Sequence, residues 1–340
     1  MSEFTIEFSK LVSKIGEIGR EYHNNLILDN ALSNSQYVKK NIGDLEISKE
    51  NFSDSGILIS AGPSLFQRNT INRIKESDFN GVLIAIDASY VACLRNNLIP
   101  DYVLTLDPHP SRVIRWFGDP NFENNKKFDD YFERQDLDLK FRNNTADTNN
   151  KNIEIVNKYA KKTKLIACTS ISDSLRKRVI EAGFDIYWWN PLVDNPTLSN
   201  SISKKLSEIN KIPFFNTGGN VGTAGWVFAS AILNLKQLAL VGMDMGYYRS
   251  TDYSLTQTYY ELIQNIGTNR ELDKYFPEFI FPLDNEKYYT DPTYYWYREN
   301  FLKLVRKSKI KTYNCTEGGT LFGEGIECAY LEDYILASTY

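Results

Sequence analysis

The sequence has few of the residues that build disulfide frameworks and metal centres. Its 340 residues include four cysteines and two histidines, and the cysteines form no C-x-x-C pair. Scattered cysteines in apolar runs are typical of buried reduced thiols, because zinc sites need closely spaced nitrogen and sulfur ligands. We therefore expect neither a disulfide scaffold nor a structural zinc site.

Long apolar runs and an excess of positive charge are also missing. No apolar run reaches the ~20 residues of a transmembrane helix, and the first twenty residues lack the order of a secretion signal. The 39 basic and 43 acidic residues give a net charge of -4, whereas nucleic-acid binding leaves a basic stripe. These absences predict a cytoplasmic protein with no membrane span and no nucleic-acid partner.

Aromatic residues, by contrast, are abundant. They make up 14% of the chain, with 22 tyrosines, and pairs of tyrosines crowd its last third. Tyrosine combines a large contact area with a hydrogen-bonding tip, which suits a ligand cleft or a subunit interface. We favour the interface, and with it a homo-oligomer.

Short β-rich runs alternate with helical segments from residue 53 onward. This alternation is typical of an α/β fold with a parallel sheet covered by helices on both faces. We predict a helical segment over 1–52, a Rossmann-like core over 53–250 and an aromatic-rich C-terminal region over 251–340 that completes the site. The predicted strands cover 56–60, 81–86, 102–106, 164–168, 185–189 and 237–242, and "IKTYNCT" is a candidate for one more.

A polar insertion over 118–152 interrupts the alternation. Long loops of this kind are usually lids or disordered. It contains a D-x-D sequence at 136–138, the spacing of metal ligands in nucleotide-sugar enzymes, but two acids in an acidic loop are more typical of a solvated surface.

Candidate binding residues follow the predicted strands, because open parallel sheets bind ligands outside the carboxyl ends of their strands. The turn "SAGPSLF" offers Gly62 for close backbone approach and Ser64 as a hydroxyl, and either forms an anion cradle or is a plain strand-to-helix turn. It matches neither the dinucleotide fingerprint nor the P-loop. Asp87 follows the second strand, where an acid contacts a ribose hydroxyl or caps a helix.

The later strands supply further candidates. "TLDPHP" places Asp107 and His109 after the third strand, and an imidazole there suits a general base. The loop of Gly218, Gly219 and Asn220 precedes an apolar helix from Thr223, so its amides favour a phosphate or carboxylate. Asp244 ends the strand after that helix, and Glu317 lies in "NCTEGG", which is either part of the cleft or a glycine turn.

Taken in order, "SAGPSL", "AIDAS", "IPDYVLTLDPHP", "TGGNVGTAGWVFASAILNLKQLALVGMDMGY" and "NCTEGG" resemble the motility accessory factor (Maf) family of flagellin glycosyltransferases. That family shares a domain with MptE-like 6-hydroxymethylpterin diphosphokinases. The resemblance implies a Rossmann-like domain similar to that of bacterial sialyltransferases and a CMP-activated nonulosonic acid as donor, of the sialic, pseudaminic or legionaminic type. It implies donor contacts at Gly62, Ser64, Gly219, Asn220 and Thr223, and family acids at Asp107, Asp244 and Glu317.

The activity predicted on this basis is inverting transfer of the sugar to a hydroxyl of a protein or glycan. His109 is the expected base, with Asp107 or Glu317 as substitutes, and no cofactor is required although Mg²⁺ is compatible. The flagellin enzymes are usually longer than this chain, so the acceptor stays open. Two alternatives remain: an ATP-dependent 6-hydroxymethyl-7,8-dihydropterin diphosphokinase that holds Mg²⁺ through Asp107 and Asp244, and a non-catalytic nucleotide-sugar binder.

Overall fold

The computed structural model describes residues 4–46, 53–125, 145–256, 259–267 and 271–338. The central part of the polar insertion, including the D-x-D sequence at 136–138, lies outside these ranges. Of the insertion, residues 118–125 and 145–152 are described, and 145–152 form the first half of a helix.

In the part of the chain that the structure describes, nine parallel strands form one sheet in the order β12-β11-β7-β1-β2-β3-β4-β5-β6. A smaller antiparallel sheet has the order β8-β10-β9. The strands are β1 (Ser55–Ile59), β2 (Val82–Ile86), β3 (Tyr102–Thr105), β4 (Lys164–Cys168), β5 (Asp185–Leu192), β6 (Phe214–Asn216), β7 (Gln237–Val241), β8 (Tyr247–Tyr248), β9 (Glu278–Ile280), β10 (Lys287–Tyr289), β11 (Lys311–Asn314) and β12 (Ile326–Cys328).

The helices cover both faces of the large sheet, so the predicted α/β fold is confirmed. Every residue of β1 is buried, as expected for a strand with helices on both sides. The described α-helices are α1 (Ile6–Asn34), α2 (Ser64–Gln67), α3 (Thr70–Glu76), α4 (Asp87–Arg95), α5 (Ile114–Phe117), α6 (Phe122–Asn125), α7 (Thr145–Tyr159), α8 (Asp173–Ala182), α9 (Ile202–Asn210), α10 (Val221–Val227), α11 (Tyr259–Ile266), α12 (Pro292–Val305) and α13 (Leu331–Ser338).

The order in which the chain adds strands to the sheet changes direction beside β1. It runs outward from β1 through β2 to β6, then returns with β7 on the other side of β1 and continues to β11 and β12. The loops after β1 and β7 therefore leave the sheet next to each other. Such a switch point is where open α/β sheets bind their ligands.

The six predicted strands and the strand at "IKTYNCT" are all present. Two others, β6 and β12, are three residues long, too short to show a hydrophobic period. The helical segment after β1 consists of two helices, α2 and α3, because Asn69 takes a left-handed conformation with φ of 51° between them.

Many of the tyrosines of the C-terminal region pack against one another. The Tyr247 ring stacks on Tyr294 at 5.3 Å and lies 5.4 Å from Tyr289, and Tyr247 and Tyr289 are buried. An internal cluster thus uses part of the aromatic surface that we assigned to an interface. The homo-oligomer stays a prediction.

The cysteines are unpaired with one another, and Cys93, Cys168 and Cys315 are buried, as the sequence predicted. Burial raises the pKa of the Cys168 thiol to about 12, so this group is an inert thiol at neutral pH. Across the described ranges, no helix has both the length and the apolar character needed to cross a bilayer.

Candidate functional site

The turn after β1 is bonded directly to the loop after β7. Gly62 N donates to Gly242 O at 2.7 Å. Ser64 donates to the Asp244 carboxylate through its amide, at 3.3 Å, and through its hydroxyl, at 2.8 Å. A Cβ atom at position 62 would overlap Asp244 Oδ2, so these loops can meet only at a glycine. The structure therefore brings Gly62, Ser64 and Asp244 together at the switch point.

This junction satisfies its own polar groups. Pro63 has no amide hydrogen, and the Asp244 carboxylate lies where a ligand anion would sit at the start of α2. Burial raises the pKa of Asp244 to about 7, while the hydrogen bonds from Ser64 act in the opposite direction. The geometry favours a structural link between β1 and β7, and a ligand contact by Gly62 or Ser64 stays a prediction.

The glycine loop after β6 is also bonded within itself. Gly218 N donates to Asn216 Oδ1 at 2.8 Å, and Gly219 N donates to Thr217 Oγ1 at 3.1 Å. Both glycines have positive φ, 54° and 94°, which other residues rarely adopt. These two amides, which we expected to hold an anion, are already used by neighbouring side chains.

The amides that remain lie one turn later, at the start of α10. Asn220 caps this helix by accepting a hydrogen bond from Thr223 N at 2.9 Å, as N-cap asparagines do. Val221 and Gly222 are the first two helical residues, whose N–H groups have no acceptor within a helix, and no described residue accepts from them. An anion at this helix would therefore meet Val221 and Gly222.

The start of α10 adjoins the end of β1. A Cβ atom at Gly222 would lie 3.3 Å from Ser60 Oγ and 3.5 Å from Met243 Cε. Ser60 follows β1 and Met243 follows β7, so the glycine loop and the turn at Gly62 lie at the same edge of the sheet. This juxtaposition is the one that a single nucleotide site requires.

Trp296 of α12 covers the glycine loop from outside. A Cβ atom at Gly219 would overlap its ring, and one at Gly16 of α1 would lie 3.0 Å from the ring. Trp296 therefore fills the space between α1 and the loop. Sequence reasoning did not single out this tryptophan, because nothing local to "YYWY" links it to a glycine 77 positions earlier.

Two carboxylates lie at the tips of β2 and β3, which are neighbours in the sheet. Asp87 begins α4 and accepts from Ala88 N at 2.7 Å. Its burial raises its pKa to about 7, and the nearby charge of Asp107 adds to this, whereas Arg115 counteracts it. Asp107 is half-exposed and lies 3.7 Å from Arg112 Nη1. The structure thus brings Asp87 and Asp107 together, with arginines beside them.

His109 is bonded in a way that fixes which ring nitrogen carries its proton. Ser111 N donates to His109 Nδ1 at 3.3 Å, so in the neutral ring the proton is on Nε2. The His109 amide donates to Asp107 Oδ1 at 2.8 Å. In this arrangement the acceptor nitrogen of the neutral imidazole is already bonded, which favours Asp107 as the base, and the catalytic roles of both residues stay predictions.

Glu317 lies apart from these groups. Its carboxylate accepts from Arg73, with Nη2 at 2.5 Å and Nη1 at 3.2 Å, and from Leu331 N at 3.1 Å. Arg73 also pairs with Glu332. These contacts tie the loop after β11 to α3 and α13. They leave Glu317 in a structural ion pair, and its catalytic role stays a prediction.

The predicted acids therefore divide among three places. Asp87 and Asp107 lie at the tips of β2 and β3, Asp244 lies at the switch point, and Glu317 lies against Arg73. Between the last two is Arg68, whose Nη2 donates to Glu317 O at 2.8 Å. Arg68 was missed because its position directly after α2 carries no signal in the sequence.

A cavity of about 740 Å³ lies away from this edge, near the start of α1 and the loop after β8. Phe4, Arg249, Tyr253 and Lys274 are among its lining residues, and none of the predicted site residues is. A volume of this order is typical of small-molecule sites. The capped helix start and the paired strand tips favour the sheet edge, since ligand sites need convergent polar groups.

The sequence matches a known family over part of its length. Residues 29–118 match the family model described as 6-hydroxymethylpterin diphosphokinase MptE-like. The resemblance to the Maf/MptE-like family is confirmed. The matched segment contains Gly62, Ser64, Asp87, Asp107 and His109, which lie after β1, β2 and β3.

The fold is similar to that of the Maf glycosyltransferase from Magnetospirillum magneticum AMB-1. The TM-score is 0.56 at 14% sequence identity, over 93% of this chain and 40% of that chain. At this identity the likeness shows a shared Maf-type fold, and this chain spans about two fifths of the length of that glycosyltransferase. No curated protein matches the sequence.

Magnesium, which the diphosphokinase alternative needs, fits poorly between the two acids that we had assigned to it. Asp107 contacts His109 and Arg112, whereas Asp244 contacts Ser64. Asp107 follows β3 and Asp244 follows β7, and β1 and β2 lie between these two strands in the sheet. Over the described ranges, no group of three or more histidine, cysteine, aspartate or glutamate side chains is arranged to hold a metal ion.

Proposed function

We propose that this protein is a glycosyltransferase that moves a nonulosonic acid from a CMP-activated donor to a hydroxyl group of a protein or glycan. The observation that carries the proposal is the meeting of the α10 start with the ends of β1 and β7 at the carboxyl edge of a Maf-like sheet. Two carboxylates, Asp87 and Asp107, follow the neighbouring strands β2 and β3 at the same edge. The acceptor and the particular sugar are left open.

The proposed donor site is centred on the start of α10. The amides of Val221 and Gly222 would donate to the phosphate of CMP, and the partial positive charge of the helix end stabilises that phosphate as it leaves. Asn220 and Thr223 then act by shaping the helix start. Asp87, at the tip of β2, is in the position where a carboxylate accepts from a ribose hydroxyl.

In the reaction, the acceptor oxygen forms a bond to the anomeric carbon of the sugar while the bond from that carbon to the phosphate oxygen breaks. CMP leaves with the electron pair, and the proton of the acceptor hydroxyl passes to the base. We assign the base to Asp107, which is half-exposed. His109 would donate a hydrogen bond through Nε2–H to the substrate. Glu317 and Asp244 would hold the loops in place.

A second candidate is diphosphoryl transfer from ATP to a pterin alcohol, because the matching family model carries that description. This reaction depends on Mg²⁺ bridging phosphate oxygens. Two strands, β1 and β2, lie between the strands that precede Asp107 and Asp244, and this arrangement disfavours a Mg²⁺ ion shared by the two acids.

Thermal unfolding in the presence of nucleotides separates the two functions. We expect CMP to raise the Tm without added metal, because a ligand that binds only the folded state stabilises it. ATP with Mg²⁺ is expected to leave the Tm unchanged. A rise with ATP and Mg²⁺ alone would contradict glycosyl transfer and support the diphosphokinase.

Release of CMP from the sugar donor tests catalysis itself. Asp107→Asn is expected to lower the rate by about 10²- to 10⁴-fold, the usual contribution of a general base. Glu317→Gln is the matched acid control, expected to lower the Tm but to keep the rate per folded molecule. Binding of CMP without any release by the wild type would indicate a non-catalytic nucleotide-sugar binder.

A further inference from the structure

The hydroxyl of Ser60 is buried without a hydrogen-bond partner. Ser60 is 5% exposed, and no described residue donates to or accepts from its Oγ. Most buried hydroxyls in proteins are paired, because an unpaired one loses its bonds to water and gains nothing in return. A ligand that forms a hydrogen bond with the Ser60 hydroxyl would explain why the described residues leave it unpaired.

The alternation of side chains along β1 turns Ser60 toward α10. Two residues earlier, Leu58 lies under this helix, since a Cβ atom at Gly225 would come within 2.7 Å of Leu58 Cδ1. Residues two apart on a strand share a face, and Ser60 accordingly meets the helix one turn nearer its start, at Gly222. The hydroxyl lies 3.3 Å from the position of a Cβ atom there.

The same place holds the unused amides of the helix. No described residue accepts from the N–H groups of Val221 and Gly222. The helical run behind them is longer than α10, because five residues of π-helix, Phe228–Ile232, continue it. A hydroxyl without a partner and two amides without acceptors thus lie together at one end of a buried helix.

We propose that Ser60 is a phosphate-binding residue. Its hydroxyl donates to a non-bridging oxygen of the nucleotide phosphate, beside the amides of Val221 and Gly222. Rotation about χ1 moves Oγ between staggered positions and lets the hydroxyl follow the ligand. This inference rests on the proposed function, which supplies a nucleotide monophosphate at this edge.

The proposal makes stability and binding respond in opposite directions. In the unliganded protein, removal of an unpaired buried hydroxyl removes its desolvation cost and breaks no hydrogen bond, so stability stays equal or rises. In the complex, the same change removes a hydrogen bond to a charged group, which is stronger than a bond between neutral groups. A structural serine would behave differently, since its loss would lower stability first.

Ser60→Ala is the test, with CMP and cytidine as the probes in isothermal titration calorimetry. We expect the Kd for CMP to rise about tenfold or more, the Kd for cytidine to stay unchanged, and the Tm of the unliganded protein to stay equal or rise. Ser60→Cys, with a weaker donor, is expected to fall between the wild type and Ser60→Ala in its affinity for CMP.

Thr105→Val provides the matched control. Thr105 Oγ1 is a second buried hydroxyl without a partner at the end of a strand of the large sheet. It lies on the opposite face of that sheet from Tyr102, whose ring contacts Phe228 on the α10 side. This variant is expected to keep both its Tm and its affinity for CMP.

Equal affinity of wild type and Ser60→Ala for CMP would overturn the inference, as would an equal loss of affinity for cytidine or a fall in the Tm of the unliganded variant. The outcome for the proposed function is read separately, from the wild type. If the wild type binds ATP and not CMP, glycosyl transfer fails, and the same comparison made with ATP decides the role of Ser60.

Discussion

At the scale of single residues, buried carboxylates give this protein an unusual dependence on pH. Burial raises the pKa of Asp244 from 3.8 to about 7, so the folded state holds this proton more tightly than the unfolded chain does. The stability that it contributes is complete below about pH 4 and is lost as the pH rises through 7. Asp87 acts in the same direction.

We therefore expect Asp244→Asn to flatten the decline in stability between pH 5 and pH 8. The amide keeps an acceptor for Ser64 N and a donor for Ser64 Oγ, and it cannot ionise. The free energy of unfolding of the wild type should fall by about 2 kcal/mol more than that of the variant from pH 5 to pH 7. Urea unfolding at several pH values measures this.

Asp252→Asn is the control for that series. Asp252 is exposed and bonded to Ser254, which lowers its pKa, so its titration is finished below pH 5. The slope of the control should match the wild type. An unchanged slope in Asp244→Asn would mean that Asp244 is ionised in the fold at neutral pH.

Sequence reasoning found the residues of this edge more readily than their roles. Asp87, Asp107 and Asp244 were placed correctly at strand tips, because a parallel sheet brings the carboxyl ends of its strands to one side. The pairing of Ser64 with Asp244 spans 180 positions, and no local pattern encodes it. Ser60 was passed over because a serine at a strand end is ordinary until its burial is known.

At the scale of elements, the glycine loop packs against two aromatic side chains of α12, Trp296 and Tyr297. Gly219 has φ of 94° and lies under Trp296. Gly267 has a similar φ of 80° with nothing within 4 Å of its Cβ position. Both glycines have a left-handed backbone, but only Gly219 has neighbours that an added side chain would overlap. Comparing alanine at the two positions therefore separates the cost of backbone strain from the cost of steric overlap.

Gly267→Ala is expected to lower the free energy of unfolding by about 1 kcal/mol, the cost of a left-handed alanine. Gly219→Ala should lower it by a further 1 to 3 kcal/mol, roughly the cost of overpacking, and should weaken CMP binding because the loop shifts away from α10. Urea midpoints and calorimetry measure both effects. Equal losses in the two variants would show that the Trp296 ring yields without cost.

Elements with their own hydrophobic period were predictable, whereas elements that depend on contacts were not. The buried strands β1, β2, β4 and β7 match their sequence runs to within a residue or so. The tyrosine-rich region gave no such signal, because its small sheet β8-β10-β9 is made of two- and three-residue strands. Its aromatic cluster forms only when distant segments meet.

At the scale of the whole molecule, α1 connects the C-terminal region to the carboxyl edge of the sheet. Near its start, Phe8 packs against Tyr295 at 5.2 Å. Near its end, Asn30 Nδ2 donates to Pro108 O at 2.9 Å and to Ser170 O at 2.7 Å. The helix therefore lies along the proposed site and touches the loop that contains Asp107 and His109.

Two asparagines of α1 allow this link to be tested. Asn34 Nδ2 donates to Thr169 O and Ile171 O, both at 2.8 Å, and Asn34 Oδ1 accepts from Arg176 Nη1 of α8 at 3.0 Å. It therefore holds the loop after β4 and the start of α8, and it has no bond to the loop after β3. Asn30 holds the loop after β4 and also the loop after β3, through Pro108. Asn30→Ala and Asn34→Ala should each lower the free energy of unfolding by about 1 to 3 kcal/mol, because each leaves buried carbonyls unpaired.

Hydrogen–deuterium exchange distinguishes the two variants. Asn34→Ala is expected to speed exchange in residues 169–172 and at the start of α8, where Arg176 loses an acceptor. Asn30→Ala should speed exchange in the loop after β4 and also in residues 106–111, since local opening follows the loss of local bonds. Only Asn30→Ala should then slow donor cleavage, because it loosens the segment that positions Asp107, and CMP affinity should stay unchanged in both. Identical exchange patterns in the two variants would contradict this prediction, because they would show that the bond from Asn30 to Pro108 O does not specifically stabilise the loop after β3.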